Sequence, residues 1–298
     1  MKVNNYFYAG LDFMFDKKGK PWFIEANFWP GSNTFYNIFK NHSVMNELTK
    51  LMKKNGGNTT IIGSKYDKEN EIDTGIWHYN IFKDKIPNLR FCYFEDNKNS
   101  RSHLTDITGK TFKPDTIYKY KYPLSSSFDK KALVINPTIV EHAVTDKVKC
   151  LDIAEKTGVK FPFTVIVKNT TDVKRIMKKN PNVFKTGYVI KPIDKWEGIG
   201  VHVLKKGQKI PRINEKELLE QRIIPRLHHN CYWDVRILVV NGKYLGGYVR
   251  EDESKVTNVS RGAHTVSLPS KTKSKLRKPS LKIVKAIDQY ATEKLRKI

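Results

Sequence analysis

The stretch that most restricts the fold is 6–32, YFYAGLDFMFDKKGKPWFIEANFWPGS. It reads as two short strands, Tyr6–Phe15 and Pro21–Asn27, joined by a polar turn over Asp16–Lys20. Strand side chains alternate between faces, so Glu25 and Asn27 point the same way. Pairing Phe15 with Lys20 across the turn sets Asp12 on that face too. Two carboxylates and an amide oxygen then converge on one patch of an otherwise aromatic hairpin. Hard oxygen ligands of this kind suit Mg²⁺, which takes one or two carboxylates and completes its shell with phosphate oxygens. An isolated Asp and Glu would read as a solvated face. Here the neighbours Ile24, Phe28 and Trp29 and the following Pro30-Gly31-Ser32 favour a metal site.

The hairpin resembles the metal-binding end of the ATP-grasp ligases, where an Asp strand, a turn, an E-x-N strand and a P-G loop hold two Mg²⁺ against ATP. The D-x₁₂-E-x-N spacing of Asp12, Glu25 and Asn27 is similar to that of D-alanine–D-alanine ligases. The AGLD and ExNxxPGS wording also fits glutamate-adding and glutathione-synthesising members. The resemblance implies that Asp12, Glu25 and Asn27 hold metal, with ATP as cosubstrate and Mn²⁺ able to replace Mg²⁺. In those relatives the hairpin closes the catalytic domain, whereas here it opens the chain.

A chain of 298 residues with 39% hydrophobic content allows two or three small domains with packed cores. Cys92, Cys150 and Cys231 lie far apart and make no metal or redox spacing, which suits a reducing compartment. No apolar run reaches membrane-spanning length, and the N-terminal segment meets an acid before any signal core could form, so a cytoplasmic location with no membrane partner is expected. The net charge of +25 attracts anions. The lysines are scattered, however, and no zinc finger, RNP-type motif or single basic helix stands out. The expected partners are therefore anionic small molecules or peptides rather than nucleic acid, with homo-oligomerisation left open.

Further along, His42–Asn55 has helical periodicity and stops at Gly56-Gly57, and strand-like pieces follow at Thr59–Ile62, Leu89–Phe94 and Thr116–Tyr120. The segment from Ala132 reads as strand, Asn-Pro turn, helix ending near Gly158, then strand. GYVIKPIDKWEGIGVHVLKK (187–206) reads as two apolar strands around a loop with Gly198 and Gly200, with Lys191 ending the first strand. Glycines let backbone amides approach phosphate oxygens, and a lysine supplies point charge. LLEQRIIP (218–225) is an apolar strand interrupted by Glu220-Gln221-Arg222. WDVRILVVNGKYLGGYVR (233–250) is a hairpin around Asn241-Gly242, with Asp234 and Arg236 on one face. A final helix is expected over 281–298, with Leu281, Val284, Ile287, Ala291, Leu295 and Ile298 on one side.

On these residues the resemblance extends over about 1–34 and 132–298, in permuted order. It implies an α+β ATP-grasp fold with a small α/β domain before the nucleotide-binding part. The expected divisions are 1–34 for the metal hairpin, 35–137 for the α/β domain, 138–215 for the lid subdomain and 216–298 for the core subdomain. A circular permutation, an excerpt from a longer chain, or a hairpin donated by a neighbouring chain would each account for the order. The same resemblance makes Lys147 and Lys191 phosphate-binding lysines and Gly198 and Gly200 the phosphate flap. Trp196-Glu197 stand there in place of the usual small residues. It makes Gln221–Ile223 (Gln221 and Ile223 above all) the adenine-side hinge, and Glu220, Asp234 and Arg236 nucleotide-site residues. Arg250, Asn258 and Arg261 become the groups that hold an acyl phosphate. The implied activity is ATP-dependent carboxylate–amine ligation, with an inositol-phosphate kinase or a non-catalytic nucleotide-binding module as the alternatives.

Overall fold

The computed structural model of the chain describes residues 7–31, 33–66, 75–119, 122–193, 195, 198–228, 230–254, 257 and 262–297. The hairpin forms, with strands β1 (Tyr8–Phe15) and β2 (Pro21–Asn27). Asp16 ties its turn. Its Oδ1 accepts the Lys18 and Lys20 amides and its Oδ2 accepts the Trp22 indole N–H.

The register departs from expectation. Phe15 pairs with Pro21, not Lys20, and Phe13 pairs with Phe23. A bulge then intervenes, and Asp12 pairs with Glu25 and Gly10 with Asn27. Ile24 is the extra residue, so Phe23 and Glu25 end on opposite faces although only two positions apart. Phe23 enters the core, while Ile24 and Glu25 both line a cavity. Without the bulge, the ladder begun at Phe15–Pro21 would set Asp12 against Ile24. The shared face of Asp12, Glu25 and Asn27 is thus made by an irregularity in β2.

After a short π-helical turn (Thr34–Ile38) comes α1 (Ser43–Asn55), which buries Val44, Leu48, Leu51 and Met52. Then follow β3 (Thr59–Gly63), α2 (Gly75–Phe82), β4 (Leu89–Tyr93), the one-turn α3 (Phe94–Asn97), and the two-residue strands β5 (Leu104–Thr105) and β6 (Thr111–Phe112). β7 (Thr116–Lys119) and β8 (Leu133–Ile135) complete a parallel sheet in the order β4-β3-β7-β8. Parallel strands are covered on both faces, which explains the unbroken burial of β3. The expected strands appear here, except that Phe94 begins α3 and Tyr120 lies outside the described residues.

The single helix expected after Asn136-Pro137 is two, α4 (Thr138–Thr145) and α5 (Lys147–Glu155). Asp146 breaks them. Its backbone is extended and its side chain accepts the Lys149 amide, capping α5 and making Lys147 the first residue of that helix. Next are β9 (Thr164–Val167), α6 (Thr170–Lys179), β10 (Tyr188–Pro192), β11 (His202–Leu204) and β12 (Glu217–Gln221), whose strands form an antiparallel lid sheet, β11-β10-β12-β9. β12 ends at Gln221, so the strand expected over 218–225 is shorter than its apolar wording suggests.

The last elements are β13 (Tyr232–Val240), β14 (Lys243–Asp252), β15 (His264–Ser267) and α7 (Ser270–Leu295). Asn241 and Gly242 both take positive φ, +47° and +73°, as the tight turn between β13 and β14 requires. The N-terminal hairpin docks on β13, giving a five-stranded sheet β15-β14-β13-β1-β2. α4, α5 and α7 cover one face, closing a core that includes Leu11, Phe13, Phe23, Val140, Ala154, Val235, Ile283 and Ile287.

Sheet membership shifts two expected boundaries. β12 pairs with β9 and β10, which carries the lid past 215 to Gln221. α4 and α5 pack into the core with α7, which removes 138–155 from the lid. α7 also starts at Ser270 rather than 281, running through Pro279.

Candidate active site

Strand register sets Tyr248, Arg236, Asp12 and Glu25 in one row across β14, β13, β1 and β2. Asp234 and Arg250 are partners across β13 and β14. All six line a cavity of about 540 Å³ between this sheet and the lid sheet. Asn27, Lys147, Lys191, Gly198, Glu220, Gln221 and Ile223 line the same cavity. The hairpin therefore fills a cleft of its own chain. Gly200 is not among the lining residues; it sits at φ +73°, where an added Cβ would come within 2.9 Å of Pro192. Asn258, Arg261, Trp196 and Glu197 lie outside the described residues.

The buried side of the cavity is an ionic ladder. Arg236 forks onto Asp12, with Nε 2.8 Å from Oδ1 and Nη2 2.7 Å from Oδ2. Arg250 forks onto Asp234 at 2.6 and 2.7 Å and also reaches Asp12 Oδ2 at 3.0 Å. Thr257 donates its hydroxyl to Asp234. Burial opposes ionisation of Asp12, which is 2% exposed, yet Arg236 and Arg250 hold its carboxyl well below the usual range. Asp234 and Arg236, expected at the nucleotide, are thus each engaged with a residue on a neighbouring strand. Removing one partner of such a network strands the others without compensation. Asp12→Ala is expected to lower unfolding stability by about 3–5 kcal/mol in a urea titration. A loss under about 1 kcal/mol would mean that the ladder contributes no more than a surface pair.

Glu25 is in a different state. It is half-buried and makes no ion pair among the described residues. Burial, and then the Asp12 charge, push its carboxyl up, against the opposing pull of Lys191, Lys147 and Arg236. A desolvated carboxylate beside a second one is relieved by a cation. Among the described residues no three His, Cys, Asp or Glu side chains form a metal cluster. Two carboxylates and an amide would instead need added oxygens, such as those of a polyphosphate. The Asn27 amide nitrogen donates to Asp12 Oδ2 at 3.2 Å, so metal ligation by Asn27 requires its amide to turn. With that turn, the donor set fits a divalent cation held jointly with phosphate.

Across the cavity, Lys191 is paired with Glu220 at 2.7 Å. Burial alone would depress the Lys191 ammonium, but Glu220 and Glu25 hold it above its ordinary value. Lys147 donates to the carbonyls of Pro192 and Lys195 at 3.2 and 2.7 Å, strapping the first turn of α5 to the end of β10. The Cys150 thiol also borders the cavity, and burial pushes it up to about 12, which removes it as a nucleophile at neutral pH. Ile24 and, unmarked by any sequence motif, Met14, Leu151, Val189 and Val203 supply an apolar lining. Strand alternation carries a signal for two of them, since Met14 is two residues from Asp12 and Val189 two from Lys191.

Residues 144–291 match the RimK-like ATP-grasp domain model. They form an ATP-grasp domain. The match stops short of the N-terminal hairpin, which enters the domain through its pairing with β13. Two curated relatives are coenzyme gamma-F420-2:alpha-L-glutamate ligases. That of Methanococcus maripaludis is 26% identical over 161 residues, covering 52% of this chain and 55% of the relative. That of Methanocaldococcus jannaschii is 25% identical over 158 residues, covering 52% and 54%. The chain thus spans about half the length of these relatives. Among solved structures, a protein assigned as a gamma-glutamylcysteine synthetase from Methylobacillus flagellatus superposes with TM-score 0.55 at 10% identity, over 96% of this chain and 88% of that one. D-alanyl-alanine synthetase A from Vibrio cholerae superposes with TM-score 0.50 at 10% identity, over 78% and 81%. Both likenesses bear on the fold, which is the α+β ATP-grasp fold. No helix among the described residues is long and apolar enough to cross a membrane.

Proposed function

We propose that this chain is an ATP-dependent carboxylate–amine ligase. The observation that carries the reading is the meeting of Asp12, Glu25 and Asn27 with Lys147 and Lys191 in one cavity between two sheets. The apolar lining from Val189, Val203 and Met14 takes the base of ATP, with the chain at Gln221–Ile223 beside it. Lys191 and Lys147 hold the phosphates, and the loop at Gly198 covers them and excludes water. Asp12, Glu25 and Asn27 would hold Mg²⁺, which when bound would supply charge neutralisation for the phosphates. Arg250 and Arg236 orient a carboxylate against the γ-phosphoryl group. A carboxylate oxygen forms the new P–O bond as the bond to the β,γ-bridging oxygen breaks and ADP leaves. An amine nitrogen then attacks the acyl carbon, phosphate departs, and the amine proton passes to solvent. Asn258 and Arg261 complete the acyl-phosphate site in this proposal.

An ADP-release screen over paired carboxylates and amines, acidic peptides included, tests the reading. Release that requires both a carboxylate and an amine supports it. Release with an inositol phosphate instead, or with no acceptor at all, overturns it.

Six cations and four carboxylates line the cavity, which favours an anionic acceptor. Salt screens such attraction, with a Debye length of about 10 Å at 0.1 M. The acceptor KM is therefore expected to rise with ionic strength while kcat changes little. A flat KM would show that the cavity does not select by charge.

A further inference from the structure

The ATP-grasp site makes no use of the outer face of α7. From Ser270 to Ile287, seven of eighteen residues are Lys or Arg and none is acidic. Helical spacing places Lys271, Lys275, Lys278, Lys282 and Lys285 in a single stripe, and every one of them is exposed. Leu276, Ser280, Ile283, Val284 and Ile287, on the opposite side, are buried. At a 1.5 Å rise per residue the stripe is about 21 Å long. No ion pair among the described residues includes one of these five lysines. Lys282 donates to the Thr157 carbonyl at 3.2 Å, and that is a neutral partner.

Like charges at this spacing destabilise a helix by a few tenths of a kcal/mol per pair. Packing of the apolar side would hold α7 without them. In the sequence these lysines look scattered, because Pro279 interrupts the pattern and the expected helix starts beyond it. The fold carries the helix through Pro279 and gathers them into a line.

We propose that this face of α7 docks the phosphate backbone of a nucleic acid without reading its bases. The stripe is a narrow ridge of point charges, matched to a linear polyanion with regularly spaced phosphates. It is lysine throughout, and lysine lacks the fork with which arginine grips carboxylates. No aromatic residue lies between Ser270 and Ile287 to stack on a base. None of the large exposed hydrophobic residues belongs to α7, so the face has nothing to insert into a bilayer. α7 shares a core with Leu11 and Phe13 on one side of the sheet, whereas Asp12 between them lines the cavity on the other. The docked nucleic acid is accordingly a scaffold or carrier rather than the substrate, and the inference stands independently of the ligase reading.

Fluorescence anisotropy of the full chain with a labelled RNA duplex of about 20 base pairs, titrated between about 50 and 200 mM salt, tests this. DNA duplex and single-strand probes run alongside to distinguish the source of the phosphates. The variant K271Q/K275Q/K278Q/K282Q/K285Q is compared with K17Q/K18Q/K174Q/K178Q/K179Q, which removes the same charge from exposed positions elsewhere. The α7 variant is expected to bind at least about 100-fold more weakly at 100 mM salt, and its slope of log K against log salt should be shallower by about 4.5, or about 0.9 for each of the five lost phosphate contacts. The control variant should lose less than about fivefold, and both should keep the wild-type melting curve. Equal losses in the two variants, or an absence of salt-dependent binding, would overturn the assignment. So would tighter binding to polyglutamate or to phosphatidylserine vesicles than to any nucleic acid probe.

Discussion

Glu25→Ala is expected to remove metal-dependent ADP release, by about three orders of magnitude or roughly 4 kcal/mol of barrier, while the protein stays folded. Glu25 is a cleaner probe of the metal site than Asp12. Asp12 is shared by Arg236 and Arg250, so its loss disturbs the ladder, whereas Glu25 has no such partner among the described residues. The direction of its acidity predicts more. A carboxyl whose folded value lies above 4.5 binds protons more readily in the folded state, so its contribution to stability falls as pH rises above 4.5. Ionisation of Glu25 therefore works against folding. Glu25→Gln should consequently melt at or above the wild-type temperature without metal, and lose the upward shift that Mn²⁺ gives the wild type. Undiminished turnover in Glu25→Ala, or an equal Mn²⁺ shift in Glu25→Gln, would remove Glu25 from the site.

Lys191→Ala should weaken ATP binding by about 10- to 100-fold, the range expected for charge-assisted contacts of about 1.5–3 kcal/mol. Lys195→Ala should change it by less than about threefold. The two lysines differ in surroundings rather than in charge. Lys191 is 7% exposed and held by Glu220, whereas Lys195 is exposed and contributes its carbonyl, not its ammonium, to Lys147. Lys191→Ala also leaves Glu220 buried without a counter-charge. The double variant Lys191→Ala/Glu220→Gln removes that penalty, and calorimetry on it separates lost phosphate contact from lost fold. Equal effects of the two single substitutions on ATP affinity would exclude Lys191 as a phosphate ligand.

Much of this architecture is legible locally. The β1–β2 turn, the Asn241-Gly242 turn, the stop of α1 at Gly56 and the placement of Lys191 beside a glycine loop depend on residues within a few positions of one another. Composition and spacing therefore carry them. Gathering the lining residues was harder. Motif wording brought twelve of them to one cavity, but as assigned positions and not as a geometry. Gly200, two residues from Gly198, turns out to serve the bend and not the lining, a distinction that spacing does not contain.

What tertiary structure alone decided has a common physical cause, which is pairing with residues remote in the chain. β1 docks on β13 more than two hundred positions away, and only that contact gives Asp12 its two arginines. The bulge at Ile24 comes from burying Phe23 on one face while Glu25 stays on the other, a compromise invisible to a period-two pattern. The break at Asp146 reflects a side chain that caps a helix more favourably than it continues one. α7 persists through Pro279 because Leu276 and Ile283 are buried on either side of it, and burial outweighs the one amide that proline lacks. The sequence by itself determined which chemical groups were available and which short turns would hold them. Long-range burial determined which of those groups share a face.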